Sequence, residues 1–338
     1  MHRAMTPKVP SPAVFSTAAP PFPERSLPDR PGFSGSRLRA SLERAGRLLG
    51  SEAVQAWLFL LPALAILATF VAWPAAYSFY LSLHDWDLMS PARRFAGWAN
   101  YARLARDGQF WTAAAHTLEY ALLTVPANMA LGLGLALALH RTRRLRTVLR
   151  TSYFSPVVTS TVAASAVWMW IYHPEVGLLN DLLHRVFGTG PIPWLADPRW
   201  AMPAVALMSV WRSAGYTMVL FLAGLQGVPR ELQEAARIDG AGSWGVFRHV
   251  TWPMLSPVTL FVFIISIIDS LQVFTQVHVM TQGGPAGATE VVVYYLYYRA
   301  FELFQMGYAS AVAYVLFAAI VALTVWQLRL SGRWVFKG

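Results

Sequence analysis

The sequence predicts an all-α membrane protein with six transmembrane helices, and three observations carry that prediction. Hydrophobic residues make up 56% of the 338 positions and charged residues only 13%, a composition too apolar for a soluble protein of this length. Six stretches are long enough to cross a hydrocarbon core, which takes about 20 helical residues; they lie near 56–82, 114–139, 152–172, 201–226, 257–280 and 308–329. Trp and Tyr gather at their ends, as in the interfacial belts of membrane proteins.

Residues 1–50 precede the first span. Pro7, Pro10, Pro12, Pro20, Pro21, Pro23 and Pro28 crowd a segment without apolar periodicity, so a disordered tail is expected. No short apolar core follows a basic start before Trp57, which argues against a signal peptide. Ser36–Leu49 sets Arg37, Arg39, Arg44 and Arg47 among Leu38, Leu42, Leu48 and Leu49, a pattern equally suited to an amphipathic helix on a membrane surface and to a solvated linker helix. The transmembrane domain is expected over 51–335. Pro74, Pro126 and Pro156 fall inside its first three spans, positions that membrane helices accept when neighbours satisfy the freed backbone groups.

The net charge of +10 is unevenly placed, with about half of the excess in the first fifty residues. The loop after span two holds Arg141, Arg143, Arg144, Arg146 and Arg150 with no acid, and Arg329, Arg333 and Lys337 follow the last span. Basic segments stay on the cytoplasmic side, so both termini are expected there, in a multi-pass protein of the cell membrane. The charge therefore reads as orientation in lipid and not as affinity for nucleic acid. There is no cysteine, which excludes disulfides, thiolate metal sites and cysteine nucleophiles. The eight histidines show no ligand spacing, and no cofactor is expected.

The most informative segment is the polar interruption between spans four and five. Pro229 suits a first helical turn, Glu231 and Glu234 place negative charge near the helix N-terminus, and Gly240 can take the left-handed conformation that stops it. A short helix from Pro229 to Asp239 follows. Ser243 is expected to cap a second short helix through about Val250, with Pro253 and Pro257 opening the next span.

Within this interruption, Glu234, Ala235 and Ala236 are followed after three residues by Gly240, then after nine by Val250, and then by Pro253. That spacing resembles the EAA motif of permease subunits in ATP-binding-cassette importers. Val250 stands where the family usually has Ile and Trp252 where it usually has Leu; both substitutes are apolar. Phe95, Gly97, Asn100 and Tyr101 resemble a recurrent segment of the same family. The stretch from Thr281 to Glu290 with Gly283, Gly284 and Pro285, followed by Tyr294–Phe301 and Met306–Ser310, is similar to its sugar-importer branch. The resemblance covers residues 56–330. It implies a type I importer permease (MetI-like) fold with a cytoplasmic coupling helix, in which Glu234, Ala235, Ala236, Asp239, Gly240 and Pro253 serve ATPase coupling. It also implies a second homologous permease, a cytoplasmic ATPase dimer, an extracytoplasmic solute-binding protein and a carbohydrate substrate. No internal duplication is seen, so the transporter's pseudo-symmetry would come from the second chain. Read from the residues alone, the interruption is an amphipathic connector with a glycine cap.

No Gly-x-x-x-x-Gly-Lys-Ser/Thr loop and no Gly-x-Gly-x-x-Gly after a strand is present, so ATP hydrolysis is expected from a separate subunit. Nor does any carboxylate pair or Ser/His/Asp set suggest an enzyme. Polar residues inside spans are costly and face a cavity or a partner helix. Trp211, Arg212, Ser213 and Tyr216 lie in span four, and Ser266, Asp269, Ser270 and Gln272 in span five. In related sugar permeases these helices line the path, so Trp211, Tyr216, Asp269, Ser270 and Gln272 are the expected substrate-pathway residues. Interhelical hydrogen bonding, an Arg212–Asp269 pair or snorkelling of Arg212 are the structural alternatives. With Arg212 the one basic residue near them, a neutral sugar is favoured over a phosphate ester. A self-sufficient secondary carrier or channel would explain the spans but not the interruption; a scaffold or sensor would explain the interruption but needs no polar residues in spans four and five.

Overall fold

The computed structural model describes residues 52–89, 93–141 and 146–332; the predicted tail, and with it the Ser36–Leu49 segment, lies outside them. The chain divides at Ala68. Ahead of that point is α1 (Glu52–Leu67), whose Trp57, Phe59, Ile66 and Leu67 side chains are exposed. Beyond it, after the π-helical turn Ala68–Ala72, come α2 (Trp73–Ser82), the two-residue strands β1 (His84–Asp85) and β2 (Arg94–Phe95), α3 (Ala99–Arg106) and α4 (Gly108–Arg141). Then follow α5 (Arg146–Val158), α6 (Thr161–Ile171), α7 (Leu178–Phe187) and α8 (Pro198–Gln226). The interruption forms α9 (Arg230–Ile238), α10 (Ser243–Val246), a π-helical turn Phe247–Thr251 and α11 (Trp252–Met254). The chain closes with α12 (Ser256–Leu271), α13 (Thr275–Met280), α14 (Val292–Tyr297) and α15 (Met306–Ser331).

Among the described residues, four helices are long and apolar enough to cross a membrane: Gln55–Ser82, Gly108–His140, Pro198–Gln226 and Met306–Ser331. Counting each of two bent pairs as one broken span brings the number to six: Thr147–Val158 with Thr161–Ile171 at 99° and Ser243–Met254 with Ser256–Leu271 at 66°. The expected span 152–172 is therefore broken. Pro156 removes one backbone donor, the β-branched Val157, Val158 and Thr159 follow it, and Ser160 is extended (φ −54, ψ 131) in the position that starts α6. The expected span 257–280 likewise stops at Leu271, and α13 is a separate short helix. Val273, Val277 and Met280 are buried in one cluster with Met202, Val205 and Met208 of α8; seating them turns the chain away from the axis of α12. The second helix of the interruption also differs from expectation. Gly242, not Ser243, holds its cap position, and it continues to Met254 instead of ending near Val250.

The most buried helix is α8, from Ala201 to Leu225. Its Met218, Phe221, Leu222 and Leu225 pack with Ala136 and Leu139 of α4 and with Leu255 and Val262. Between membrane helices such packing, not transfer from water, supplies the attraction. Small residues set the closest approach. A β-carbon on Gly215 would lie 2.0 Å from the carbonyl oxygen of Tyr153, so α5 and α8 touch backbone to backbone only because that position is glycine. The Phe95-to-Tyr101 segment proves to be a clasp. Asn100, 6% exposed, donates from Nδ2 to the carbonyls of Ser82 (2.9 Å) and His84 (3.0 Å), and the Tyr101 hydroxyl lies 2.8 Å from Ser82 Oγ.

Asp107 ties the start of α4 to α14 and α15. Its Oδ1 accepts from the Gln109 (3.0 Å) and Phe110 (3.4 Å) amides, as a helix-capping carboxylate does. Its Oδ2 accepts from the hydroxyls of Tyr295 (2.5 Å) and Tyr308 (2.6 Å) and lies 3.6 Å from Arg299 Nη2. Burial opposes ionisation of Asp107, but the two tyrosine hydroxyls and two amides outweigh it and hold the carboxyl below its ordinary value of 3.8. Burial, helped by the hydrogen bond to Asp107, pushes the Tyr295 phenol up to about 12.

Candidate functional site

A cavity of about 270 Å³ opens between α4, α8, α12 and α13. Tyr120, Thr124 and Asn128 line it from α4, Ser209, Arg212 and Ser213 from α8, Ser266, Asp269 and Ser270 from α12, and Gln276 from α13. The hydroxyls of Thr124, Ser209, Ser213 and Ser270 donate back to carbonyls of their own helices, at 2.8–2.9 Å. Ser209 also hydrogen-bonds Tyr120; the lone pairs of the other three are left to accept from whatever enters. Asn128 donates from Nδ2 to Thr217 Oγ1 at 3.0 Å, while its Oδ1 is buried without a partner. Arg212 makes one long bond, Nη2 to the Thr159 carbonyl at 3.5 Å, and its buried Nε has no partner. Among the described residues it forms no ion pair within 4.0 Å, so the Arg212–Asp269 bridge left open by the sequence is absent.

Of the five expected pathway residues, Asp269 and Ser270 lie in this lining. Trp211 points elsewhere, exposed and with its ring 5.5 Å from that of Trp168. Tyr216 is exposed and outside the lining, although its neighbour Thr217 is bonded by Asn128 of the cavity. Gln272 caps the end of α12, exposed and outside the lining. Sequence reasoning missed Tyr120, Thr124, Asn128, Ser209, Gln276 and the inward position of Arg212. A signal existed in α4, where Thr117, Tyr120, Thr124 and Asn128 recur at helical spacing through an apolar span.

The segment between α8 and α12 has a defined build. Gly240 takes φ +86, its amide donates to the Arg237 carbonyl (3.0 Å) and that of Ala241 to the Ala236 carbonyl (2.9 Å). This pair of bonds is a Schellman stop, and it gives the four-residue step from Ala236 to Gly240 a physical meaning. Pro229 occupies the position before the first helical residue and Glu231 the first turn. Arg230, Gln233, Glu234 and Arg237 line a second cavity, about 550 Å³, together with His140, Gln226 and Phe247. On the other side Leu232 and Ile238 are exposed, Ile238 to 87%, as is Trp244. Ala235, Asp239 and Gly240 are exposed too, Ala236 and Pro253 half-buried. Pro253 sits in α11, just before the 66° bend.

Residues 130–337, which include α8, this segment and α12, match the family model described as "Binding-protein-dependent transport system inner membrane component". The chain belongs to that family. The trehalose/maltose transport system permease protein MalF of Thermococcus litoralis is 33% identical to this permease over 280 residues, covering 83% of this chain and 94% of the relative. The sulfoquinovosyl glycerol transport system permease protein SmoG of Agrobacterium fabrum is 35% identical over 275 residues, covering 81% and 89%. A chain of the bacterial alginate ABC transporter, solved in complex with an alginate pentasaccharide-bound periplasmic protein, superposes with a TM-score of 0.73 over 89% of this permease and 99% of that chain. Its 20% identity makes that a likeness of fold. This permease is thus a multi-pass membrane subunit of a transporter with the type I importer permease fold.

Proposed function

We propose that this permease forms half of the translocation pathway of an ATP-driven carbohydrate importer. The 270 Å³ polar cavity would be its share of the path, and α9 the element that docks on a cytoplasmic ATPase dimer. A second, homologous permease would supply the other half, and an extracytoplasmic binding protein would deliver the ligand. Both termini and the α9 segment would then face the cytoplasm, as the basic loops favour.

One observation carries the reading: the α9–α11 segment is joined directly to α8 and α12, and those two helices contribute six of the cavity's lining residues. A displacement of α9 by a nucleotide-driven partner is thus passed to both walls through the short links 227–229 and 239–242. ATPase closure would turn the helices outward and admit ligand, and hydrolysis would return them. Exposed Leu232, Ile238 and Trp244 offer an apolar docking face, and Glu234 a charge at its edge. Sugar hydroxyls suit the Asp269 carboxylate and serine oxygens of the lining, and relatives named for trehalose/maltose and sulfoquinovosyl glycerol transport support a carbohydrate.

The test is ligand-stimulated ATP hydrolysis by the assembled complex in vesicles. Glu234→Lys is expected to leave membrane insertion intact and abolish the stimulation; normal stimulation would overturn the coupling assignment. Uptake by the isolated chain, with no ATPase present, would instead support a self-sufficient carrier.

A further inference from the structure

The cavity places a permanent cation in a membrane-spanning helix and leaves it incompletely satisfied. Arg212 cannot discharge as lysine or histidine can. Its Nε is buried without a partner, its Nη2 makes only the 3.5 Å contact with the Thr159 carbonyl, and none of the described carboxylates lies within ion-pair distance. A guanidinium so placed is costly unless another group completes it. The other polar groups differ in kind. Asp269 can only accept and the Ser270 hydroxyl has spent its donor on the Ile267 carbonyl, both suited to the hydroxyls of a sugar, while Tyr120, Ser266 and Gln276 can accept or donate. Arg212 is therefore the one cation in the lining and the one group there that can only donate.

We propose that Arg212 is a specificity-determining ligand contact, and that the saccharide accepted by this cavity carries an anionic group, a carboxylate or a phosphate ester, held by the Arg212 fork. The proposal rests on the reading of this cavity as part of the pathway, and it reverses the neutral-sugar preference drawn from sequence. A planar guanidinium matches either anion bidentately, and here the contact would run through the two Nη groups, since Nε is enclosed. Hydroxyls on the same sugar would donate to Asp269 and the Ser270 oxygen, which keeps Asp269 away from the anionic end. A volume of about 270 Å³ equals that of about nine liquid waters, enough for one sugar ring with its charged substituent.

The experiment is isothermal titration of the detergent-solubilised assembly, purified with its partner subunits, using glucose, glucuronate and glucose 6-phosphate as probes. At least tenfold tighter binding of one of the two acids than of glucose is expected, and the acid preferred identifies carboxylate or phosphate. Arg212→Gln should reduce that preference to about twofold or less, and Arg212→Lys should retain part of it. Equal binding of all three probes, no measurable binding of either acid, or a preference that survives Arg212→Gln would each overturn the proposal. Recovery of the ATPase in the same preparation tests the pathway reading separately. If the ATPase is present and the acid preference absent, the anionic ligand alone is wrong; if no ATPase is recovered, the pathway reading fails first.

Discussion

Replacing Tyr295 by Phe removes one hydroxyl from the Asp107 cluster, with its bond to Asp107 and its 3.1 Å contact with the Tyr308 hydroxyl. The bond to Asp107 is the stronger of the two, 2.5 Å long and ending on an ionised carboxylate, so it falls in the class that contributes about 1.5–3 kcal/mol. Asp107 is 14% exposed at its side chain, which places the expected loss near the middle of that range, about 2 kcal/mol. Helix α14 is held at this point, so its amides should exchange through a local opening made about 30-fold more frequent. The assay is hydrogen exchange read by mass spectrometry on peptides covering Val292–Tyr297, with α8 peptides as an internal reference. Asp107→Ala should go further, since it also removes the cap of α4, worth about 1 kcal/mol. Adding Tyr295→Phe to Asp107→Ala should then change little, because the partner is already gone. Unchanged exchange over Val292–Tyr297 in Tyr295→Phe would refute the reasoning. The same cluster sets a pH dependence. The Asp107 carboxyl is held below 3.8 in the folded chain, so its contribution is present above that value and is lost as pH falls through the lower folded one. The Tyr295 phenol is raised from 10.0 to about 12, so its contribution is complete below pH 10 and is lost as pH rises towards 12.

Further predictions concern packing and coupling. Gly215→Ala would set a β-carbon 2.0 Å from the Tyr153 carbonyl oxygen; backbone cannot yield as a side chain can, so a loss of about 3 kcal/mol or more is expected, seen as aggregation on size-exclusion chromatography. Asn100→Ala removes two bonds at 2.9 and 3.0 Å and strands the Ser82 and His84 carbonyls, a loss of about 2–3 kcal/mol measurable as a lower thermal midpoint in detergent. Gly240→Pro cannot adopt φ +86; it should leave insertion intact and remove ligand-stimulated ATP hydrolysis. Asp269→Ala should weaken ligand affinity at least tenfold, whereas Gln272→Ala, outside the cavity lining, should change it less than twofold; equal effects in a binding assay would contradict the placement of the two side chains.

What was legible in the sequence is what depends on short-range chemistry. Apolar runs of about 20 residues announce spans. A Gly four residues after Ala236 announces the stop of α9, because only the left-handed conformation at that point satisfies the last carbonyls. The breaks at Ser160 and after Leu271 were hidden, since each depends on what the neighbouring residues pack against; Val273 and Val277 read as span residues until the cluster with Met202 and Met208 is seen. The cavity was half visible. Its acid was conspicuous in an apolar run, but the facing of Arg212, Trp211 and Tyr216 is fixed by the rotation and axial offset of α8 against α4, which spacing within one helix does not specify. The Asp107 cluster joins residues 188 and 201 positions apart, and no local pattern announces it.

The central claim, that this permease works as one subunit of an ATP-driven importer, is tested most directly by affinity purification of the tagged chain from its own cell membrane in mild detergent. Its stable partners would be identified by mass spectrometry. Recovery of an ATPase together with a second six-span permease is predicted; a stable, monodisperse preparation of this chain alone would contradict it.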